Sequence, residues 1–488
     1  MMNELTSIDQ LNLIDLLDSF ENSSDIKIRT KSYNDGETLH FIKAIYCHNL
    51  VSTEYISQVL PKVYEIVKKE NMLNYELISN VVETNKIDKQ KDVLNQIEEE
   101  LFSGTLVILS SFLNDIFLIP AASPPKRSPE ESNIETSVRG PKDGFVENIS
   151  DNMALIRQRL KTSSLKSIEF FIGDRSKTKV ILLYMDDILN PTILSTVKER
   201  LSSLKLDIVV SSYEIEELLY DHSFSIFPLM DHTGRPDYIV QSLNQGRFGI
   251  LVDGNPTCLV GPTSINQLLY SPEDIHGSFF YSNLVHYLRM IALFTTILLP
   301  GFYLALVTYH LDQVPYPYIA TIAVSRLGLP LSSTIETFIM LAFFELFKEA
   351  GVRLPKAVGQ TVAVLGGLFI GDAAIRAGLT SPTMLVVIAI TVISGYTLVN
   401  QNIAGNIVIL RVFVLICSTI LGLLGFFSAL FLILTHVASL TSFGQPYALT
   451  ATKPNKFDIM SMVFRLPQKF LKKRHQSLDP IDDTRKKE

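Results

Sequence analysis

An aspartate sits in a stretch apolar enough for a lipid bilayer. The segment QTVAVLGGLFIGDAAIRAG, residues 360–378, carries Asp372 together with four glycines, a threonine and a glutamine. A carboxylate at bilayer depth costs at least ~2.5 kcal/mol on insertion scales, so such a group ordinarily faces a bundle interior or a wet cavity. On a helix, Gly359, Ala363, Gly367, Gly371 and Ala374 fall in one small-residue stripe that lets a second helix come close. The opposite face holds Thr361, Leu365, Leu368 and Asp372, with polar groups near both ends and two leucines between. That arrangement suits a water-filled pathway closed by dewetting at the leucines. The plainer alternative is leucine packing against a neighbour and an aspartate that reaches the membrane surface. One chain encloses little room, so a pore requires several copies around an axis.

A second acidic segment precedes it. In STIETFIMLAFFELFKEAG, residues 333–351, Ser333 and Glu336 have capping-box spacing and Gly351 is a stop signal. Its apolar run is too short for an upright span, so an amphipathic or re-entrant helix over 334–350 is expected. Glu345 is either interfacial beside Lys348 or a cation-attracting group of the pathway, and Glu349 is expected to be interfacial.

Elsewhere the chemistry is thin. GDRSKTK (173–179) lacks the glycines of a phosphate-binding loop and precedes a strand rather than a helix. His222, His232 and His276, near Asp221, Asp231 and Asp274, lack the spacing of a helical metal site. No catalytic constellation stands out; no enzyme activity, metal or cofactor is expected. Cys47, Cys258 and Cys417 are odd in number and scattered, and are expected to be free thiols. A formal charge of -7 argues against a nucleic-acid partner.

The elements that position these residues divide the chain of 488 residues in two. Charge is dense up to about residue 286 and sparse after it. In the first part, strands are expected at 38–47, 105–112 and 115–121 and helices at 52–69 and 86–104. Beyond a linker at 122–141, rich in Pro, Ser and charge, strands are expected at 168–173, 179–185 and 206–210 and a helix at 191–204. A hairpin over 248–261 should turn at Asp253-Gly254-Asn255. The fold class is therefore a cytoplasmic α/β region of two subdomains, 35–121 and 142–285, followed by an α-helical polytopic membrane domain, 286–436. Residues 1–34 form a separate N-terminal segment and 437–488 a basic tail.

About 20 helical residues cross a bilayer's hydrocarbon, and spans are expected near 291–309, 357–375, 383–399 and 412–435. Pro300-Gly301 would bend the first of them, and with no Trp in the chain Tyr303, Tyr309, Tyr316 and Tyr318 would be its interfacial anchors. The acidic amino terminus has no secretory signal, and ten Lys or Arg follow residue 436. Both ends are thus expected on the cytoplasmic side, which calls for an even number of crossings.

Several blocks carry a resemblance: RGPKDGFVENISDNMALIRQRLK (139–161), FIGDRSKTKVILLYMDDILNP (171–191), GRFGILVDGNPTCLVGPTS (246–264), LPGFYLALVTYHLDQVP (299–315), TIETFIMLAFFELFKEAGVRLPKAVGQTV (334–362) and SPTML (381–385). In content and order they resemble the A subunits of the GerA family of spore germinant receptors. That resemblance implies a receptor in the inner membrane of a bacterial endospore, with the soluble half facing the core. It implies two partners, a transporter-like B subunit thought to bind the nutrient and a C-subunit lipoprotein. It also implies assembly of A subunits into a nutrient-gated channel for monovalent cations. Asp372 and Glu345 would then attract cations, and Leu365 and Leu368 would hold the pore dry when closed. A secondary transporter and a non-conducting scaffold are the alternatives; the duplicated broken helices of many transporters are not evident.

Overall fold

The segment Thr105–Ser110 shows how the α/β region is built. Its side chains alternate, Leu106 and Ile108 entering one core cluster and Val107 another, so both faces of its sheet must be covered. The computed structural model describes residues 20, 23–34, 39–70, 78–79, 81–86, 93–110, 116–123, 139–353, 371–398, 400–448, 473–474 and 478–485.

The first sheet comprises β1 (Ile26–Asn34), β2 (Leu39–Cys47), β3 (Asn85–Lys86), β4 (Thr105–Ser110) and β5 (Ile116–Pro120), in the order β1-β2-β4-β5-β3 with antiparallel pairings. Helix α1 (Thr53–Glu70) packs Ile56, Val59, Leu60 and Val63 on one face. Helix α2 (Val93–Leu101) packs Ile97 and Leu101 on the other. The sheet starts at Ile26, ahead of the boundary expected at residue 35. Its first strand alternates Ile26 and Ile28, which pack in the core, with Lys27, Arg29 and Lys31, charges of the kind a sheet edge commonly carries. Most of the linker expected at 122–141 lies outside the described residues.

The second sheet repeats the plan with β6 (Leu165–Ile172), β7 (Thr178–Met185), β8 (Asp231–Thr233), β9 (Phe248–Val252) and β10 (Cys258–Gly261), in the order β6-β7-β9-β10-β8. Helix α3 (Ile149–Arg159) and α6 (Pro236–Asn244) cover one face, α4 (Pro191–Ser203) and α5 (Ser212–Leu219) the other. The expected hairpin is present, with Leu251 opposite Cys258. Residues 206–210 are not a strand. Ile208 and Val210 are exposed, and the backbone there serves the β6–β7 turn, Leu206 and Asp207 carbonyls accepting from the Asp174 and Arg175 amides.

Beyond the second sheet the described residues are mainly helical: α7 (Phe279–Tyr309), α8 (Tyr316–Ser325), α9 (Ser333–Arg353), α10 (Pro382–Tyr396) and α11 (Gln401–Ser439). Among the described residues, Phe279–Tyr309 and Gly405–Ser439 are long and apolar enough to cross a membrane by length and composition. Pro300 does not interrupt α7. The adjacent Gly301 lets α11 come close, since a Cβ there would stand 2.7 Å from Val414 Cγ1. Helix α9 has 21 residues, about 31 Å, and is longer than the interfacial or re-entrant helix expected at 334–350.

Helix α11 is two helices in one. A straight helix of its 39 residues would part its ends by about 58 Å. Both ends instead rest on the same short stretch of the second α/β unit, from Leu229 to the start of β8: Asn400 donates to Asp231, and past the other end Ser442 Oγ donates to the Leu229 carbonyl. Gly301 and Phe302, neighbours on α7, meet Val414 and Phe426 respectively. The reversal falls at Gly422, with φ 62° and ψ -137°, against Tyr309 and His310 at the far end of α7. The single span expected at 412–435 is therefore divided into two antiparallel arms; unbroken hydropathy across GLLGFF hid the turn. That backbone region is essentially open to glycine alone, so Gly422→Val is expected to cost at least about 1–3 kcal/mol, read as a lower midpoint of thermal unfolding of the full chain in detergent.

Candidate functional site

Of the residues expected to form the pathway, Gly359, Thr361, Ala363, Leu365, Gly367 and Leu368 lie outside the described residues. Gly371 and Asp372 begin a helical stretch running to Arg376. Gly371 is buried, and a Cβ there would be 3.2 Å from Leu385 Cδ2 of α10. Asp372 is exposed and pairs with Arg376 one turn on, at 2.8 Å. Glu345 makes a different bond, accepting from Arg411 on the first arm of α11 at 2.6 Å, with Lys348 3.8 Å away. Arg411 is only 3 % exposed, so Glu345 serves as the counter-charge of a buried cation.

The most enclosed carboxylate of the helical region is Glu336. It is not the capping-box partner of Ser333; Ser332 precedes the helix, its carbonyl bonded to the Glu336 amide. The Glu336 side chain, fully buried, reaches across to the start of α10. Its Oε1 accepts from Thr380 Oγ1 at 2.9 Å, the Ser381 amide at 2.6 Å and Ser381 Oγ at 2.7 Å, and Oε2 faces Arg326 at 3.3 Å. Ser381 is itself the N-cap of α10, so the carboxylate lies where the helix dipole favours negative charge. It thereby fixes the turn that follows the Asp372 helix. No local signal marks this bond, whose partners are 45 residues apart.

A seam of polar contacts joins the second α/β unit to the helices. Asp274 pairs with Arg289 of α7 at 2.5 Å, both nearly buried. Asp231 accepts from Tyr238 Oη at 2.6 Å and from Asn400, between α10 and α11, at 2.7 Å. Beyond α11, Thr441–Ser442 (β11) and Gln445–Pro446 (β12) form a small hairpin that opens the tail expected at 437–488. Its Phe443 stacks edge-on against Phe248 at 4.8 Å, and Asp221 accepts from Thr441 Oγ1 and the Gly444 amide. A small, partly open pocket of about 70 Å³ lies beside the seam, lined by Tyr213, Tyr220, Ser225, Phe227, Pro228 and Asn406.

The histidines and aspartates do not converge. His232 pairs with buried Glu216, which also accepts from Tyr220; His276 faces Asp237; His222 lies near Thr441. Burial works to lower the His232 pKa, and the hydrogen bond and charge of Glu216 outweigh it, leaving it raised. Among the described residues no group of three or more His, Cys, Asp or Glu could hold a metal ion. Cys47, Cys258 and Cys417 are free.

An α/β region leading into apolar helices, one of which buries the carboxylate of Glu336, has a counterpart among known proteins. The family model described as Bacillus/Clostridium GerA spore germination protein matches residues 15–477. The chain belongs to the GerA family. Relatives include spore germination protein XA of Bacillus anthracis, 40 % identical with 96 % of each chain covered. Spore germination protein GerLA of Bacillus cereus is 35 % identical over 86 % of this chain and 85 % of its own. A crystal structure of the N-terminal domain of the A subunit of the Bacillus megaterium spore germinant receptor GerK3 aligns with 51 % of this chain and 93 % of its own, at 26 % identity and a TM-score of 0.38. Family membership gives this GerA protein a role in spore germination and, with its two apolar helices, an association with the membrane.

Proposed function

We propose that this chain is the A subunit of a nutrient germinant receptor in the endospore inner membrane, and that copies of it assemble around an axis into a cation pathway opened by nutrient. The observation that carries this reading is the GerA match across residues 15–477. The chain works by binding and conformational change, not catalysis. A transporter-like B subunit and a C lipoprotein complete the receptor, and nutrient binding outside this chain favours the open state by its higher affinity for it.

The helices support a membrane domain of more than one pass: α7 is long and apolar enough to cross, and the two antiparallel arms of α11 pack beside it. Arg474 bonds the Asn244 carbonyl and the Ile481 amide the Ile188 carbonyl, so the tail returns to the second α/β unit.

Conductance of the purified complex in a planar bilayer, with and without candidate nutrients, tests the reading. Nutrient-evoked cation current supports it. Stoichiometric coupled transport would make the chain a carrier, and silence from a fully assembled, nutrient-binding complex would make it a scaffold. Replacing Leu365 or Leu368 with serine should wet the constriction and give cation leak without nutrient; an unchanged leak in normally assembled variants removes these two residues as the gate.

A further inference from the structure

The turn between α10 and α11 is held to the soluble region by one side chain used at both ends. Asn400 Oδ1 accepts from the Ile403 amide at 3.2 Å, capping the first arm of α11. Its Nδ2 donates to Asp231 Oδ1 at 2.7 Å. Asp231 is buried in β8, the last strand of the second sheet. Its Oδ1 also accepts from the His232 amide at 2.9 Å and its Oδ2 from Tyr238 Oη at 2.6 Å, while Gln267 Nε2 donates to Tyr238 Oη at 3.0 Å. A chain of bonds thus runs from Gln267 through Tyr238 and Asp231 to the cap of a helix that starts at the soluble unit and ends at Gly422.

We propose that Asp231 is the positioning residue that couples the soluble region to the membrane helices, by holding the α10–α11 turn through Asn400. The coupling rests on the receptor reading above; the tether itself does not. Around it the contact is apolar: Leu398 and Ile403 pack with Phe227 and Leu229, a surface that fixes no register. A directional bond to a buried carboxylate does fix one. Burial pushes the Asp231 carboxyl above the usual range against the pull of Tyr238, His232 and the more distant Arg247. No cation pairs with it among the described contacts, so its strongest ties are to movable neutral donors. Close by, Tyr447 Oη and Gln267 Oε1 are buried without a hydrogen-bond partner among the described residues.

The test is an exchange of the pair in the full receptor complex. Asn400→Asp keeps the cap on Ile403 and sets a carboxylate against a carboxylate; it should speed hydrogen–deuterium exchange at residues 398–404 by roughly tenfold, about one charge-assisted hydrogen bond, and reduce nutrient-evoked cation flux by a similar factor. Asp231→Asn keeps an amide oxygen that can still accept from Asn400 Nδ2 and the His232 amide, and loses only the charge, so its effect should be smaller and in the same direction. In D231N/N400D the new amide at 231 can turn its NH2 toward the new carboxylate at 400, which removes the like-charge repulsion, and both readouts should move back from N400D toward the parent values, which a general loss of packing would not do. Unaltered exchange in N400D, or a double variant no better than N400D, overturns the proposal. A parent complex without nutrient-evoked flux would instead sink the receptor reading, and the exchange data would still decide whether Asp231 holds the turn.

Discussion

Asp25→Ala is expected to destabilise the α/β region by about 3–5 kcal/mol and to undock its two units. Asp25 belongs to the first unit and Arg157 to α3 of the second; both side chains are essentially buried. Arg157 Nε and Nη2 donate to the two carboxylate oxygens at 2.6 and 3.0 Å, and Ser167 Oγ adds a third bond at 2.7 Å. Two further guanidinium donors bond the Thr162 and Leu165 carbonyls, and Arg157 Cζ lies 4.6 Å from the Phe102 ring centroid. Removing the carboxylate leaves a buried cation with no counter-charge, which costs far more than the pair was worth. Replacing both partners, as D25L/R157M, should recover most of the loss because no charge is stranded. Chemical denaturation of the full chain followed by far-UV circular dichroism measures both; a D25A midpoint equal to the parent's would dismiss the pair as a joint.

The pH dependence has a definite sign. Burial pushes the Asp25 carboxyl up, but the charge and hydrogen bonds of Arg157 more than offset this and hold it below the ordinary 3.8. A carboxylate depressed on folding contributes stability that is present above 3.8 and is lost as pH falls through the lower folded value. Asp25→Asn should flatten that acid limb and leave the neutral range parallel to the parent.

What could be read from sequence follows from the range of each interaction. Strands such as 105–110 and 178–185 were legible because both sheet faces are covered and apolar residues run almost without a break. The hairpin at 253–255 was legible because its turn residues are local. The LDIVV stretch misled because β-branched residues fit a strand, yet Ile208 and Val210 find no sheet neighbour and stay exposed. Helices α3 and α5 begin at the caps Asn148 and Ser211, short signals inside polar sequence that gave no apolar periodicity of useful length. The functional contacts were the least legible. Asp25 meets Arg157 across 132 positions and Asp231 meets Asn400 across 169; a single sequence shows such residues only as ordinary polar side chains.

Glu336→Ala is expected to have the largest effect in the helical region, at about 3 kcal/mol or more, because one atom serves several buried donors. Thr380 Oγ1, the Ser381 amide and Ser381 Oγ all end on Oε1, and each buried donor left without an acceptor costs about 1–3 kcal/mol. Arg326 loses its carboxylate as well. Glu336→Gln separates these contributions: the amide oxygen can still serve Thr380 and Ser381, while the NH2 group turned toward Arg326 removes the ionic part. The expected order of thermal midpoints for the full chain in detergent is parent, then E336Q, then E336A. Because Ser381 caps α10 and ends the turn that follows Asp372, E336A should also loosen the segment that carries the proposed gate, raising nutrient-independent cation leak in the reconstituted complex. An E336A protein that melts with the parent and stays tight would mean that the turn is held by its apolar neighbours alone, Met384 and Met340 foremost.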